Sequence, residues 1–322
     1  MNRPVLCTPL RIEQAMLRRA GRSMRLVRTG MGPRAAAATA AALSWGIDPV
    51  LVAPVVVAGV GGGLTPQVQP GDVVVASEVR GSAADGRRVE VPSAPLLAGA
   101  LRRLGLTVHV GPISSVSRIV WAPAAAASTR PVSGLPGPLA VDMESAQFAV
   151  LDAPFAVVRA IVDSTDHPLW HLGTPRRGLR ALRALRACQP ALQWWAAATG
   201  PRQVLLAGPR SLRAALAQVD LVLVIGSANQ SSSLRLVEFI ERKGVPVHLV
   251  DDPSEIDLRW LAGTMRLGIT AGGGTPSHLV AHRVAHLVAQ IVHCLGGLGP
   301  VDVRESRLID EDITVAPPRG VI

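Results

Sequence analysis

Short apolar runs alternate with segments of helical periodicity along the first 170 residues. The third run, Val50–Ala58, is rich in β-branched residues and does not alternate with polar residues, which is typical of a strand covered on both faces. Helices are predicted between the runs, over 11–20 and over an alanine-rich stretch, 34–44, that follows Pro33. The predicted strands are Val5–Cys7, Met24–Val27, Val50–Ala58 and Pro154–Ile161. This alternation predicts a mixed α/β sheet flanked by helices.

After Gly200 and Pro201 the pattern begins a new strand and helix series. Its order requires crossover connections, so it predicts a smaller parallel α/β domain. The predicted strands are Asp220–Ile225, Val247–Val250 and Arg266–Thr270, and the predicted helices are Ser231–Lys243 and His278–His293. We therefore expect domains at 1–200 and 201–296, and a polar, proline-ended tail at 297–322 with little order. Surface connections are expected at 81–93 and 122–138.

Composition supports a folded, intracellular protein. The 322 residues are 48% hydrophobic and 17% charged, enough to build a core for two domains. The longest apolar stretch, Pro49 to Leu64, is interrupted by proline and glycine, and the N-terminus lacks the apolar length of a signal peptide. We expect a cytoplasmic protein without a membrane span.

The net charge of +10 comes almost entirely from arginine, since the chain has a single lysine, Lys243. An arginine-rich, alanine-rich composition without tyrosine can arise from coding bias. Zinc-finger spacing is absent, and only 3% of residues are aromatic, which leaves few side chains to stack on bases. We expect no nucleic-acid partner.

Three carboxylates are candidates for chemistry because each is predicted to lie where a strand ends or a helix begins. Open α/β sheets collect ligands at such positions. Asp163 directly follows an apolar strand, Glu144 precedes an apolar helix, and Glu13 lies early in the first helix. The alternative is that each is a solvated or helix-capping residue.

Several stretches resemble the nucleoside phosphorylase/nucleosidase superfamily, in the branch of methylthioadenosine/S-adenosylhomocysteine nucleosidases. They are VVVAGVGGGLTPQVQPGDVVVASEV, VDMESAQFAV and PFAVVRAIVDSTD, within residues 1–170. With TPLRIEQAMLRRAG and RTGMGPRAAA, the set is similar to the hopanoid-associated phosphorylases, which act on adenosylhopane. The resemblance implies a phosphorylase-like fold, a homodimer, and cleavage of a 5′-substituted adenosine, with adenosylhopane of hopanoid biosynthesis as the expected substrate.

The same resemblance implies roles for the carboxylates. Asp163 would be the general acid that protonates the departing purine, Glu144 would hold the ribose hydroxyls, and Glu13 would orient an attacking water. Met143 would pack on the sugar. The other residues implied to bind substrate are Met31, Gly59, Val60, Gly61 and Gly62. Serine is common in the family at the place of Val60, so phosphate as a co-substrate stays open beside water; no other cofactor is expected.

The run from 219 to 276 resembles the last third of hydroxymethylbutenyl diphosphate reductase, the LytB/IspH family of isoprenoid synthesis. That resemblance implies a diphosphate site at Ser227 and Asn229, where helix N–H groups favour an anion. Gly274 replaces a second diphosphate-binding serine. The family's reductase activity needs a [4Fe–4S] cluster, and none of Cys7, Cys188 or Cys294 matches a cluster ligand. We therefore expect no reductase; a dimerisation or stabilising module and an isoprenoid-diphosphate-binding module stay open.

Two helical patterns remain. Residues 176–198 carry arginines on one predicted face and leucines on another, which fits either a solvated helix or a basic surface for peripheral contact with an anionic membrane. His278, His282 and His286 recur every four residues, but no acidic partner lies nearby in sequence. An ordinary helix face is expected there, without a metal.

Overall fold

The computed structural model describes residues 3–44, 53–81, 86–118, 136–167, 173–208, 211–272 and 278–306. Contacts group the chain into two compact units. The first comprises 1–201, 252–264 and 286–301, and the second comprises 202–251, 265–285 and 302–322. The division at residue 201 falls where the sequence predicts a boundary, but two later segments belong to the first unit.

The first unit contains an eight-stranded mixed sheet and helices. Its strands are β1 (Val5–Thr8), β2 (Arg25–Arg28), β3 (Val55–Gly63), β4 (Val73–Arg80), β5 (Arg88–Glu90), β6 (Val108–Ser115), β7 (Ala140–Asp142) and β8 (Phe155–Asp163). Its helices are α1 (Arg11–Met16), α2 (Pro33–Ser44), α3 (Ala94–Arg103), α4 (Ser145–Phe148), α5 (Thr174–Ala187) and α6 (Gln189–Ala198). The mixed sheet flanked by helices that the sequence predicts is confirmed.

Strand order in this sheet is β2-β1-β3-β7-β6-β4-β5, and β8 pairs with both β3 and β4. Strands β3, β8, β4, β6 and β7 thus close into a ring. Strands β1, β3 and β8 run parallel, so their carboxyl ends share one edge. The valines at 55–57 in β3 and at 73–75 in β4 are buried, as the β-branched runs predict.

The second unit has a five-stranded sheet of order β11-β10-β12-β9-β13. The pairs β10–β11, β10–β12 and β12–β9 are parallel, which confirms the predicted parallel C-terminal domain. Its strands are β9 (Arg202–Ala207), β10 (Leu221–Ile225), β11 (Val247–Val250), β12 (Arg266–Ala271) and β13 (Val301–Ser306). The later helices of the chain are α7 (Leu212–Leu216), α8 (Ser231–Glu241), α9 (Leu258–Leu261) and α10 (His278–Gly296).

Some local expectations differ from the structure. The connection expected at 81–93 contains β5, which pairs with β4. The helical stretch up to residue 198 is two helices that meet at Cys188, because Pro190 has no N–H to continue the first helix. The tail expected from 297 includes β13, whereas 307–322 lie outside the described residues, as do Gly274 and most of the connection at 122–138.

Candidate active site

A cavity of about 220 Å³ lies at the carboxyl ends of β1, β3 and β8. Eight of the nine residues predicted to act in nucleoside cleavage line it: Glu13, Met31, Val60, Gly61, Gly62, Met143, Glu144 and Asp163. Pro9, Leu10, Val116, Arg118, Val141, Asp142 and Val162 complete the lining. Gly59 lies behind the lining, against Arg159 and Glu13.

Glu13 is held by two backbone amides. One carboxylate oxygen accepts a hydrogen bond from the amide of Leu10 at 2.7 Å, and the other accepts from the amide of Val60 at 2.8 Å. The side chain is buried, and burial raises the pKa of Glu13 against the lowering effects of the Val60 amide, the Arg159 charge and the Leu10 amide. The carboxyl group is therefore fixed in position at the cavity wall.

Glu144 joins the turn before α2 to a buried arginine. Its Oε1 accepts from the amide of Gly32 at 2.9 Å, and its Oε2 lies 3.2 Å from Nη2 of Arg159. The positive φ of Gly32, 90°, favours glycine at this turn. Met143 packs there as well, since its Cε lies 3.6 Å from where a Cβ on Gly32 would stand.

Arg159 is one of two residues of the site that sequence reasoning missed. It is fully buried in β8 and donates to Oδ2 of Asp142 through Nε at 2.8 Å and Nη2 at 2.6 Å. Burial alone would lower the pKa of Arg159, but Asp142, Glu144 and Glu13 together raise it. A lone arginine within the apolar strand FAVVRAIVD was the available signal, because a buried charge needs partners.

Asp142, which sequence reasoning also passed over, completes this buried network. Its side chain is fully buried, and the carboxylate accepts a hydrogen bond from the hydroxyl of Ser145 in addition to those from Arg159. Nη1 of Arg159 has no hydrogen-bond partner among the described residues. The network fixes Glu144 at one end and places positive charge beside Glu13 at the other.

Asp163 lies at the end of β8, where a bulge between Gly61 and Gly62 places it opposite Gly62. It is 8% exposed, and burial raises its pKa to about 6 against its own backbone amide and the charge of Arg177. A Cβ on Gly62 would stand 3.2 Å from Oδ1 of Asp163, so the absence of a side chain there lets the carboxyl group approach the strand. Near neutral pH this group exists in both protonation states.

The glycine at 59 has a comparable steric reason. A Cβ at this position would lie 2.7 Å from Nη1 of Arg159 and 2.8 Å from Oε1 of Glu13. Only a residue without a side chain leaves room for both charged groups beneath the strand.

Ser227 and Asn229 lie in the second unit, between β10 and α8. The amide of Asn229 donates to Oγ of Ser227 at 3.4 Å, and Asn229 is exposed. The structure thus places both residues before a helix of eleven residues, as the resemblance implies.

A resident iron–sulfur cluster does not fit the cysteines. Cys7, Cys188 and Cys294 are each buried, and burial raises the pKa of each thiol to about 12. No group of three or more histidine, cysteine or acidic side chains suited to a metal occurs among the described residues. His282 and His286 are exposed on α10, and the side chain of His278 lies outside the described part.

Comparison with known families assigns the first unit. The model of the phosphorylase superfamily matches residues 9–175. The chain belongs to the phosphorylase superfamily. This membership confirms the predicted resemblance and supports an enzyme that acts on the glycosidic bond of purine nucleosides. The hopanoid-associated subfamily, the homodimer and the cytoplasmic location stay predictions.

The model of the LytB protein family matches residues 209–288, which confirms the second predicted resemblance. A 4-hydroxy-3-methylbut-2-enyl diphosphate reductase of Mycobacterium bovis is 36% identical over 112 residues, 35% of this chain and 32% of the relative. One from Burkholderia mallei is 39% identical over 104 residues, 32% of this chain and 29% of the relative. The chain spans about a third of the length of these curated relatives.

Among solved structures, a methylthioadenosine/S-adenosylhomocysteine nucleosidase of Streptococcus pneumoniae is similar with a TM-score of 0.46 and 20% identity. The match covers 59% of this chain and all of the nucleosidase. The corresponding nucleosidase of Neisseria meningitidis gives a TM-score of 0.46 and 24% identity, over 60% of this chain and 98% of that protein.

Across the described residues, no helix has the length and apolar character to cross a bilayer.

Proposed function

We propose that the first unit of this phosphorylase-superfamily member releases adenine from a 5′-substituted adenosine. The observation that carries the proposal is the arrangement of Asp163, Glu144 and Glu13 around one cavity. Asp163 acts as the general acid, because a carboxyl group with a pKa of about 6 is still protonated in a fraction of the molecules near neutral pH and can transfer that proton to the purine as the glycosidic bond breaks.

Glu144 accepts hydrogen bonds from the ribose hydroxyls in this proposal. Its two oxygens are anchored by Gly32 and Arg159, so the carboxylate is positioned before the substrate arrives. Met143 forms an apolar wall for the sugar. Carboxylates around the cavity also stabilise the positive charge that develops on the ribosyl group in the transition state.

Water is the nucleophile that the charges favour. Glu13, Glu144 and Asp163 bring carboxyl groups to the cavity, and Arg118 is the single cation in the lining among the described residues. Arg159 lies behind the lining, where Asp142 and Glu144 already pair with it. A phosphate dianion would meet an excess of negative charge there. Val60 also offers no hydroxyl to an anion. Glu13, whose pKa is raised, is placed to accept a proton from an attacking water.

The 5′ substituent of the proposed substrate is apolar. Pro9, Leu10, Val116, Val141 and Val162 supply most of the remaining lining, so the cavity offers an apolar surface next to the carboxylates. Adenosylhopane and methylthioadenosine both meet this requirement, and adenosylhopane is the proposed natural substrate because of the sequence resemblance to hopanoid-associated phosphorylases.

The test is release of free adenine. The protein is incubated with methylthioadenosine and with adenosylhopane, with and without phosphate, and the sugar product is identified. Phosphate-independent release with a free ribose end supports hydrolysis, and a phosphate requirement with ribose 1-phosphate refutes it. Asp163→Asn should abolish release, whereas Asp166→Asn, an exposed residue three positions away, should retain it. Wild-type turnover by Asp163→Asn would refute the assignment.

For the second unit we propose two alternatives, a dimerisation or stabilising module and a module that binds an isoprenoid diphosphate. Ser227 and Asn229 before α8 favour the diphosphate-binding alternative, because the free N–H groups of a helix N-terminus donate hydrogen bonds to an anion. Binding would raise the melting temperature with added isoprenoid diphosphate by mass action. If a millimolar concentration of the diphosphate did not raise the melting temperature, or raised it equally in a Ser227→Ala/Asn229→Ala variant, the dimerisation or stabilising role would remain.

A further inference from the structure

The arginines of the first unit are unevenly distributed over its surface. Residues 3–44 and 173–201 contain thirteen arginines and one carboxylate, Glu13, which is buried. The other described residues between 53 and 167 contain seven arginines and eight carboxylates. Coding bias would raise arginine everywhere, so it does not account for a surface that lacks acidic residues. We call the exposed arginines of 3–44 and 173–201 the arginine surface.

Twelve of the thirteen arginines are exposed, and Arg177 is half-buried. Apart from Arg177, none forms an ion pair with a carboxylate of the described residues. The members of the arginine surface are Arg3, Arg11, Arg18, Arg19, Arg22, Arg25, Arg28, Arg34, Arg176, Arg180, Arg183 and Arg186. These charges have no counterions within the described protein, so an external anionic partner would satisfy them.

Helices α1, α5 and α6 of the two segments form one layer, and strand β2 contacts α1. Helix α1 packs against α5, and the side chain of Gln189 accepts hydrogen bonds from the amides of Arg19 at 2.8 Å and Ala20 at 3.2 Å. Gln193 donates to the carbonyl of Arg19 at 3.2 Å. The arginines that lie far apart in sequence therefore share a continuous part of the surface.

This layer begins at the active-site cavity. Leu10 and Glu13, at the start of α1, line the cavity, and Arg177, in the first turn of α5, lowers the pKa of Asp163 by its charge. Large apolar side chains accompany the arginines here. Leu179 on α5 is 49% exposed, Ile12 on α1 is 51% exposed, and Met31 at the cavity is 58% exposed.

We propose that the arginine surface docks the protein on an anionic lipid bilayer, with the active-site cavity next to the membrane. The arginines attract acidic headgroups, and Leu179, Ile12 and Met31 contact the acyl region of the bilayer. A nucleic-acid backbone offers no apolar region for these three side chains. The described residues of 3–44 hold no aromatic side chain on which a base could stack, and those of 173–201 hold Trp195, which is fully buried, and Trp194, which Arg259 covers. Docking of this kind does not depend on which nucleoside the cavity cleaves.

The test measures binding of the full chain to vesicles by flotation at about 0.15 M salt. Vesicles of phosphatidylcholine mixed with phosphatidylglycerol are compared with phosphatidylcholine alone. Each arginine close to an anionic bilayer strengthens binding about fivefold, so reversal of three charges should weaken it by at least about 100-fold. Arg176, Arg183 and Arg186 are changed to glutamate together. Arg180 is left unchanged, because its aliphatic stem covers Gly71.

The matched control reverses three exposed charges outside the arginine surface, Arg87, Arg88 and Lys243. It alters the net charge equally and should bind anionic vesicles like the wild type. Cleavage of methylthioadenosine in solution, or the circular dichroism melting curve if that nucleoside is not a substrate, shows that both variants are folded. The proposal would be overturned if the wild-type protein did not bind anionic vesicles, or if both variants lost vesicle binding equally. Binding of the wild-type protein to duplex DNA but not to the vesicles would also overturn it.

Discussion

Asp163→Asn should make the protein inactive and, above pH 6, more stable. The pKa of Asp163 is raised by burial from 3.8 to about 6. Because the folded state holds the proton of Asp163 more tightly than the unfolded state, the contribution of this group to the free energy of unfolding is fully present below pH 4. That contribution is lost as pH rises towards 6. Two pKa units correspond to about 3 kcal/mol, of which about 2 kcal/mol falls between pH 4.5 and pH 7.5. Asparagine does not titrate, so the variant avoids this loss.

Urea unfolding of the wild type and the variant at several pH values measures the effect. The difference between their free energies of unfolding should grow in favour of asparagine between pH 4.5 and pH 6 and then level off. Asp166→Asn, a change of the same chemistry at an exposed position, should show no such trend. Wild-type kcat/KM should fall above pH 6 as the acid is deprotonated. Parallel stability curves for Asp163→Asn and wild type would refute the burial of a protonated carboxyl group.

Three further predictions concern the buried charges. Arg159→Met should cost about 3–5 kcal/mol in urea unfolding, because it leaves Asp142 without its cation, and the loss should shrink at acidic pH; an equal loss at all pH values would contradict this. Gly59→Ala should lower both the free energy of unfolding and the rate of adenine release, since its methyl group would contact Arg159 and Glu13. The control is Gly178→Ala in α5, where an added methyl group meets no atom within 4 Å; it should stabilise the protein by about 0.5–1 kcal/mol in urea unfolding. Glu13→Gln should reduce adenine release far more than ribose-analogue binding measured by calorimetry, and equal losses in both would exclude a role in activating water.

The candidate site could be predicted from the sequence where its residues lie at strand ends. Glu13 follows β1 and Asp163 ends β8, and both strands run parallel to β3 and end at one edge of the sheet. Glu144 follows β7, which is antiparallel to β3, so only its place before an apolar helix was visible in the sequence. The buried network was not predicted, because a sequence does not show that Arg159 and Asp142, 17 positions apart, meet across strands. Its only signal was a charge within an apolar strand.

The fold was predicted in outline for similar reasons. Unbroken valine runs identify central strands, and the β-bulge at Gly61 and Gly62 is invisible in them, although it decides where Asp163 lies. The short strands β5 and β7 have three residues each and carry too little periodicity to be recognised. Strand β13 was missed because VDVRES is polar on a surface edge of its sheet.

Because 252–264 and 286–301 belong to the first unit, that unit is not contained in the first 201 residues. In the first unit, Arg103 of α3 donates to the carbonyls of Ser254 and Ile256, and Gly99 leaves room for the backbone at Ser254. A fragment ending at residue 201 would lose this cover and expose α3, whose leucines are fully buried. Deletion of residues 202–322 should therefore yield insoluble protein.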